Sequence, residues 1–600
     1  MINGPLVEFQ ERINFFLIQG NQFVKIYNKL SIFRACFFIS ALVLLVYFAN
    51  ARNFDLVWAI ILLFPIAFGF LVNYHNKVRY KRNHAFNLVA INEEEILKIQ
   101  GNLKGFETGD RHQDGLHPYI KDLDIFGQNS VFQLLNRCNT IGGKALLAKW
   151  LKTPAPIEDV ILRQDAVKEL SPLLQWRQEF QARGRHFKDD KENIDSLLDW
   201  IDNNDLGLKI KWLKIALIIL PIFALSTIML WLFFDFHYIF PLAVIIINSI
   251  VLKSVFNIAN DATEKTYKGN TALKSYGKLI EMIEETEFNS QRLQALKFHF
   301  HHQNFKASDE VKKLQTILDF LQVRGNVFYL IVNVVFILDV YWLLKGEIWK
   351  KKSGQFVKNW FAAIDEIEII NSMAGFRYAN TNYSFPILAK ENHQFISQNL
   401  GHPLIKSNIR VYNDFKMQGK GKIIIVTGSN MAGKSTFLRT VGVNVVLALM
   451  GAPVCASSLT LSFTHVFTSM RTEDNLEESV SSFYAELKRL KQLLTLLEQQ
   501  GPVLFMLDEI LKGTNSHDRH LGAIALIKQL NKLDASGFVS THDIELGKIK
   551  DEIQEVENYS FNSEIIGDEI IFDYKVTPGI CKNFNASKLM EKMGIKVNEQ

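Results

Sequence analysis

Residues 423–440 read IIIVTGSNMAGKSTFLRT, and the fold turns on this stretch. The β-branched run Ile423-Ile424-Ile425-Val426 predicts a strand, and Thr436 to Met450 predicts a helix. Between them stand Gly428, Gly433, Lys434 and Ser435 at the spacing G-x-x-x-x-G-K-[ST]. Such a loop lets successive backbone N–H groups curl around phosphate oxygens at a helix N-terminus. In that frame Lys434 reaches the β- and γ-phosphates and the Ser435 hydroxyl ligates magnesium, while Ser429, Asn430, Met431, Ala432 and Thr436 complete the wall. The expected fold here is an α/β P-loop domain of the ABC-like kind, and the expected ligands are ATP and Mg2+. A chance Gly-rich turn would not come with a strand before it and a helix after it.

Two later segments extend the pattern. Val503-Leu504-Phe505-Met506-Leu507 is strand-like and ends in Asp508-Glu509. Paired carboxylates delivered by an apolar strand suit the second half of a P-loop site, with Asp508 as a magnesium ligand and Glu509 polarising the attacking water. A further strand, Phe538-Val539-Ser540-Thr541, ends in His542-Asp543, which places His542 to contact a γ-phosphate. Singly these signals are weak; their order after Lys434 carries the reading of Glu509 and His542 as catalytic.

The rest of the chain is less like a soluble enzyme. Of its 600 residues 48% are hydrophobic and 22% charged, which is rich for a chain that stays in water. A net charge of +5 over this length argues neither for nor against nucleic acid. Cys36, Cys138, Cys455 and Cys581 have no metal-ligand spacing and suggest a reducing compartment. The N-terminus MINGPLVEFQERINFF carries acids early and lacks the pattern of a cleaved signal.

Residues 35–51 and 56–76 are uncharged, each near the ~20 residues that a helix needs to cross hydrocarbon, and they predict a hairpin at 35–76. Residues 215–234 and 238–252 predict a second at 215–252. Lys25, Lys29 and Arg34 precede the first hairpin, Lys77, Arg79, Lys81 and Arg82 follow it, and Lys209, Lys211 and Lys214 precede the second. By the positive-inside rule these flanks are cytoplasmic, which predicts a multi-pass protein of the cell membrane with its P-loop domain in the cytoplasm. A third run, Val327 to Leu344, contains Asn333 and Asp339, which are costly within a bilayer. A fifth crossing would also put the P-loop on the wrong side, so this run is expected to be one long buried helix of the soluble part.

The motifs together resemble the MutS family of DNA mismatch repair ATPases. TGSNMAGKST is similar to that family's TGPNMGGKST, LDEILKGTNSHD to LDEIGRGTSTYD and STHDIEL to ATHYHEL. EDNLEESVSSFYAEL resembles the DDL-x-x-G-x-S-T-F segment that reaches a partner's nucleotide in the family's dimers. Ser481 stands at the matching serine, Ser479 at the signature glycine, and Ala432 replaces a loop glycine. Upstream, residues 130–170 resemble the start of the family's helical core, with a T-x-x-G turn at Thr140 to Gly143 and W-L-x-x-P at Trp150 to Pro154. Residues 362–383 resemble its last helix, and YKVTPGICKNFNASKLMEKMGI its closing turn and helix.

The resemblance implies a homodimeric ATPase that holds nucleotide between subunits and binds DNA. Mismatch-reading members carry a Phe-x-Glu motif on an N-terminal domain; Phe9-Gln10-Glu11 matches it, but a membrane span begins too soon after it for a folded domain to intervene. The expected architecture is a cytoplasmic segment at 1–34, hairpin 35–76, linker 77–119, all-α MutS-like core 120–214, hairpin 215–252, core and lever 253–391, and ATPase domain 392–600. DNA binding without mismatch discrimination is the first expectation of output. An ABC-type transport ATPase and an ATP-switched membrane scaffold are the rivals; the first lacks an LSGGQ-like run before Asp508.

Overall fold

The computed structural model describes residues 4–186, 191–203, 210–302, 305–391, 393–429, 431–471, 482–566 and 569–581. They are mostly helical, with mixed sheets confined to the C-terminal part. The chain divides into two compact units: one from 1–96, 138–144 and 173–368, the other from 97–137, 145–172 and 369–600.

Four helices of the first unit are long and apolar enough to cross a membrane: Pro5–Asn50, Phe54–Ile99, Ile210–Phe233 and Ile239–Tyr267. The first two have 46 residues each. At 1.5 Å per residue each is about 70 Å long, more than twice the ~30 Å of a bilayer's hydrocarbon. Residues 5–34 of the stretch expected as an N-terminal segment (1–34), and 77–99 of the expected linker (77–119), are thus continuous helix with the uncharged spans. Absence of charge marks what can sit in hydrocarbon, whereas helix propensity and packing decide where a helix ends. The two helices turn at Arg52, whose φ is 55°, and Phe37 and Phe38 meet Phe64 and Phe68 between them.

Outside the apolar stretch the first hairpin packs as a soluble helix pair. Phe9 and Ile13 are buried on one helix, Leu88 and Ile91 on the other. Helix Leu174–Gly184 is tied to them by Arg12 Nε donating to Gln178 Oε1 at 2.7 Å and by Gln178 Nε2 donating to Asn92 Oδ1 at 2.8 Å. The T-x-x-G turn also has a physical account. Gly143 N donates to Thr140 Oγ1 at 3.0 Å, and Glu368, 2% exposed, accepts the backbone N–H groups of Asn139 and Thr140, both at 3.0 Å. A Cβ on Gly143 would lie 2.6 Å from that carboxylate.

The third apolar run is not one long buried helix. It is two helices, Val327–Phe336 and Leu338–Trp349, broken at Ile337 in the left-handed region (φ 44°, ψ 49°), and the first is largely exposed. Periodicity alone had no way to show the break, because a β-branched residue at positive φ is held there by its neighbours.

In the second unit six strands lie in the order Glu569–Pro578, Val556–Ile566, Ile423–Thr427, Ser536–Thr541, Val503–Asp508, His465–Ser469. All neighbours are parallel except the first two. Ile423 to Val426 are wholly buried, as a β-branched run in a parallel sheet should be. Ile387–Ala389, Ser458–Ser462, Gln394–Leu400 and Asn413–Gln418 form a second sheet. Residues 97–137 and 145–172, expected within the helical core 120–214 and the linker before it, belong to this unit. Asp122 is the fastener: buried, it accepts Thr468 Oγ1 at 2.8 Å and the N–H groups of Met470 and Arg471, both at 3.1 Å.

Asp122→Ala strands two N–H groups and leaves the Thr468 hydroxyl only the Pro118 carbonyl as acceptor, and is expected to cost about 3 kcal/mol. Asp122→Asn, with one acceptor oxygen retained, costs less. Denaturation of the two variants beside the unsubstituted chain checks this; equal midpoints for all three would remove Asp122 from that role.

Candidate nucleotide site

Three neighbouring parallel strands end at one edge of the sheet, and their register sets the site. Thr427 is level with Thr541, Val426 with Ser540, and Ser540 with Asp508. The chain leaves the first strand into Gly428 and Ser429 and enters helix Lys434–Met450 through Gly433. Gly428 (φ 149°) and Gly433 (φ 102°) hold conformations that other residues rarely adopt, and a Cβ on Gly428 would lie 2.8 Å from the Phe561 carbonyl oxygen. Within the loop Ala432 is buried, its N–H bonded to Ser429 O at 3.2 Å, while Met431 is 63% exposed. Thr436 lies in the first turn of the helix, its carbonyl accepting Thr440 Oγ1 at 2.7 Å. Asn430 and Ser481 lie outside the described residues.

Lys434 is 3% exposed, and its Nζ donates to the carbonyls of Gly428 at 2.7 Å and Ser429 at 2.9 Å. Burial lowers its pKa, as desolvation does to any ammonium. The Ser435 hydroxyl donates to Asp508 Oδ2 at 2.5 Å. The other oxygen, Asp508 Oδ1, is buried with no partner among the described residues, and so is Ser429 Oγ. A serine hydroxyl beside a carboxylate with an oxygen to spare is an all-oxygen donor set of the kind that suits magnesium.

Glu509 follows in the left-handed region (φ 52°), its N–H bonded to Ser540 O at 2.9 Å. One carboxylate oxygen meets His542 Nε2 and the other meets Lys512 Nζ at 3.0 Å. His542 Nδ1 in turn bonds Gly428 O at 3.0 Å. Both ring nitrogens therefore face acceptors. His542, with Lys512 adding to it, pulls the Glu509 carboxyl down to about 2 against the opposing effect of burial. The structure thus brings Lys434, Ser435, Asp508, Glu509 and His542 together around one loop.

Sequence reasoning missed two members. Lys512 lies three residues beyond Glu509 in DEILKG, on the turn that follows the strand, and a lysine so close to the paired acids could have shown it. Glu486, on helix Ser482–Gln500, accepts the N–H groups of Leu511 and Lys512, and so fixes the loop that carries Lys512. It is buried, and burial raises its pKa. Nothing in the sequence distinguishes it from any other helix glutamate.

These elements define a C-terminal α/β domain built around a phosphate-binding-loop sequence. The MutS domain V family matches residues 424–597. A DNA mismatch repair protein MutS from Thermotoga maritima is 29% identical over 217 residues, 36% of this chain and 27% of its own length. An Endonuclease MutS2 from Lactococcus lactis subsp. cremoris is 32% identical over 196 residues, 32% of this chain and 25% of its own. A DNA mismatch repair protein MutS from Clostridium novyi is 25% identical over 568 residues, 84% of this chain and 60% of its own. Residues 424–597 belong to the MutS domain V family, and the chain spans between about a quarter and three fifths of the length of these relatives.

The depressed Glu509 carboxyl has a pH signature. A carboxylate held below its unfolded value of ~4.3 adds stability above that pH and loses it as pH falls through the folded value. The thermal midpoint of the unsubstituted chain should exceed that of Glu509→Gln at pH 5, and the gap should close as pH falls towards 2. A gap that does not change between pH 5 and 3 would contradict the pairing.

Proposed function

We propose that this chain is a membrane-anchored MutS-family ATPase that binds and hydrolyses ATP with Mg2+ at a homodimer interface and binds DNA without discriminating mismatches. The observation that carries the ATPase reading is the Ser435–Asp508 contact beside an ionised Glu509. Ser435 and Asp508 would hold the magnesium, which supplies charge neutralisation to the phosphates. Lys434 exchanges its loop carbonyls for phosphate oxygens. Glu509, kept ionised by His542 and Lys512, is available as a base to orient water, and His542 bridges it to the phosphate loop. The dimer reading rests on the resemblance around Ser481. Four long apolar helices and their cationic flanks support the anchor, a multi-pass placement in the cell membrane with the ATPase domain cytoplasmic.

DNA binding is supported by the relatives' names. Lack of mismatch reading is supported by Phe9, which is 1% exposed and packed in its own unit, so it is no stacking wedge. Lys and Arg side chains are what phosphate contacts need, and the basic stretch 345–358 has several lysines, but it is largely engaged within the chain. Lys350 pairs with Glu347 at 3.1 Å, Lys352 with Glu310 at 3.0 Å and Lys358 with Asp202 at 2.7 Å. That pairing favours the ATP-switched membrane scaffold as a second reading.

Glu509→Gln should retain ATP binding and lose hydrolysis by roughly a hundredfold or more. Lys434→Ala should weaken binding itself. Equilibrium nucleotide binding and steady-state hydrolysis on both variants decide this; undiminished turnover by Glu509→Gln would be fatal to its role.

Matched and singly mismatched duplexes, competed at one salt concentration, should bind within tenfold of each other, about 1.4 kcal/mol. Affinity should fall steeply with salt. No duplex binding at low salt would favour the scaffold.

A further inference from the structure

Helix Val327–Phe336 has its amphipathicity reversed. Val327, Phe328, Leu330, Ile331, Val332 and Phe336 face outwards, Phe328 at 80% exposure, whereas the buried positions are Tyr329 and Asn333. A helix with water on its open side buries the apolar face and exposes the polar one. This one does the opposite, as a helix with hydrocarbon on its open side does.

Its path can be read along helix Ile239–Tyr267, one of the apolar pair of the second hairpin. Thr263 Oγ1 bonds Leu321 O at 3.2 Å, and Asn260 Oδ1 accepts Arg324 Nη1 at 2.8 Å. Asn248 Nδ2 then reaches the carbonyls of Val334 and Val335 at 2.8 and 3.2 Å. From Asn260 to Asn248 is about 18 Å along a helix, towards the hairpin's tip at Asp235 to His237. The chain then turns back. Asp339 meets Arg324 at 3.0 Å, Trp342 stacks on Phe320 at 4.2 Å, and Trp349 Nε1 donates to Glu310 O at 2.9 Å. The returning helix Leu338–Trp349 therefore runs back along Ala307–Gln322 to the level at which the excursion began.

A break at this depth is tolerable only if its polar groups are satisfied by protein. The carbonyls of residues 334 and 335 go to Asn248, which is itself 0% exposed. The Asp339 N–H goes to Asn333 Oδ1 at 2.9 Å. The Asp339 carboxylate takes Tyr329 OH at 2.9 Å on one oxygen and Arg324 on the other. The costly Asn333 and Asp339 of the sequence are thus the parts that close the turn.

We infer that residues 327–349 form a re-entrant loop, in which helix Val327–Phe336 enters the bilayer beside the second hairpin with its outer face on lipid acyl chains and the chain returns to the same side. The inference rests on the reading of the hairpins as membrane-spanning. Ten residues, about 15 Å, reach about half of a ~30 Å hydrocarbon layer and no further. The apolar outer face is continuous with that of the hairpin it packs on, and lipid is the occupant that covers both.

The test is fluorescence quenching of the full-length chain in phosphatidylcholine vesicles, with single labels on Phe328→Cys and Ile331→Cys in a Cys36→Ser background. Labels on Phe223→Cys and Ile246→Cys report on the hairpin itself. All four are expected to be quenched by acyl-chain nitroxide lipid and protected from aqueous iodide. Impermeant maleimide should reach Asn326→Cys and Lys345→Cys from the same face of sealed membranes. If 223 and 246 meet lipid while 328 and 331 meet iodide, or neither quencher because a second copy covers them, the loop is refuted and the anchor stands. If 223 and 246 meet no lipid, the anchor fails and the loop with it. Labelling of 326 and 345 from opposite faces would make the segment a crossing and overturn the re-entrant reading.

Discussion

The site depends on the lateral register of three parallel strands. Hydrogen bonding of Ile423–Thr427 to Ser536–Thr541, and of that strand to Val503–Asp508, puts three chain ends at one edge of the sheet. Slipping one pairing by a residue would invert every side chain of the moved strand. Ser435 would then lose Asp508, and His542 would lose both Gly428 and Glu509. The burial of Ile423 to Val426 on both faces is what forbids the slip, so packing of apolar methyl groups fixes the polar geometry at the edge.

The same division of labour appears around the carboxylates. Asp508 is placed by its strand and accepts the Ser435 hydroxyl from the helix after the glycine loop, whereas Glu509 lies between His542 and Lys512. Two adjacent acids thus acquire different surroundings, one offering a bare oxygen and the other kept ionised. Such a difference of environment is what lets neighbouring carboxylates take different tasks.

In the first unit the governing constraint is the satisfaction of backbone groups. The two long helices of the first hairpin satisfy nearly all of their own, the one bond lost at Pro65 apart, which lets one element be apolar over its middle and pack as a soluble helix beyond it. The run 327–344 cannot do so at Ile337, and Asn248 and Asn333 make up the difference. Polar residues inside apolar sequence, which counted against membrane contact when read singly, become compatible with it once their partners are known.

Local chemistry was legible in the sequence. Gly428, Gly433, Lys434 and Ser435 are fixed in spacing because a phosphate loop is a local backbone shape, and Asp508, Glu509 and His542 stand at strand ends because a strand followed by a polar residue is a local pattern. The uncharged spans were equally plain, since whether a helix is long and apolar enough to cross a membrane is a property of composition and length. What waited for the tertiary structure was everything that depends on a partner far along the chain: that Asp122 fastens residues 97–137 to a strand near 468, that Glu486 holds the loop of Lys512, that Phe9 is buried, and that Val327 to Leu344 breaks. Each of these is decided by hydrogen bonds and packing between residues dozens to hundreds of positions apart, and a periodicity read in a window of one helix contains no term for them.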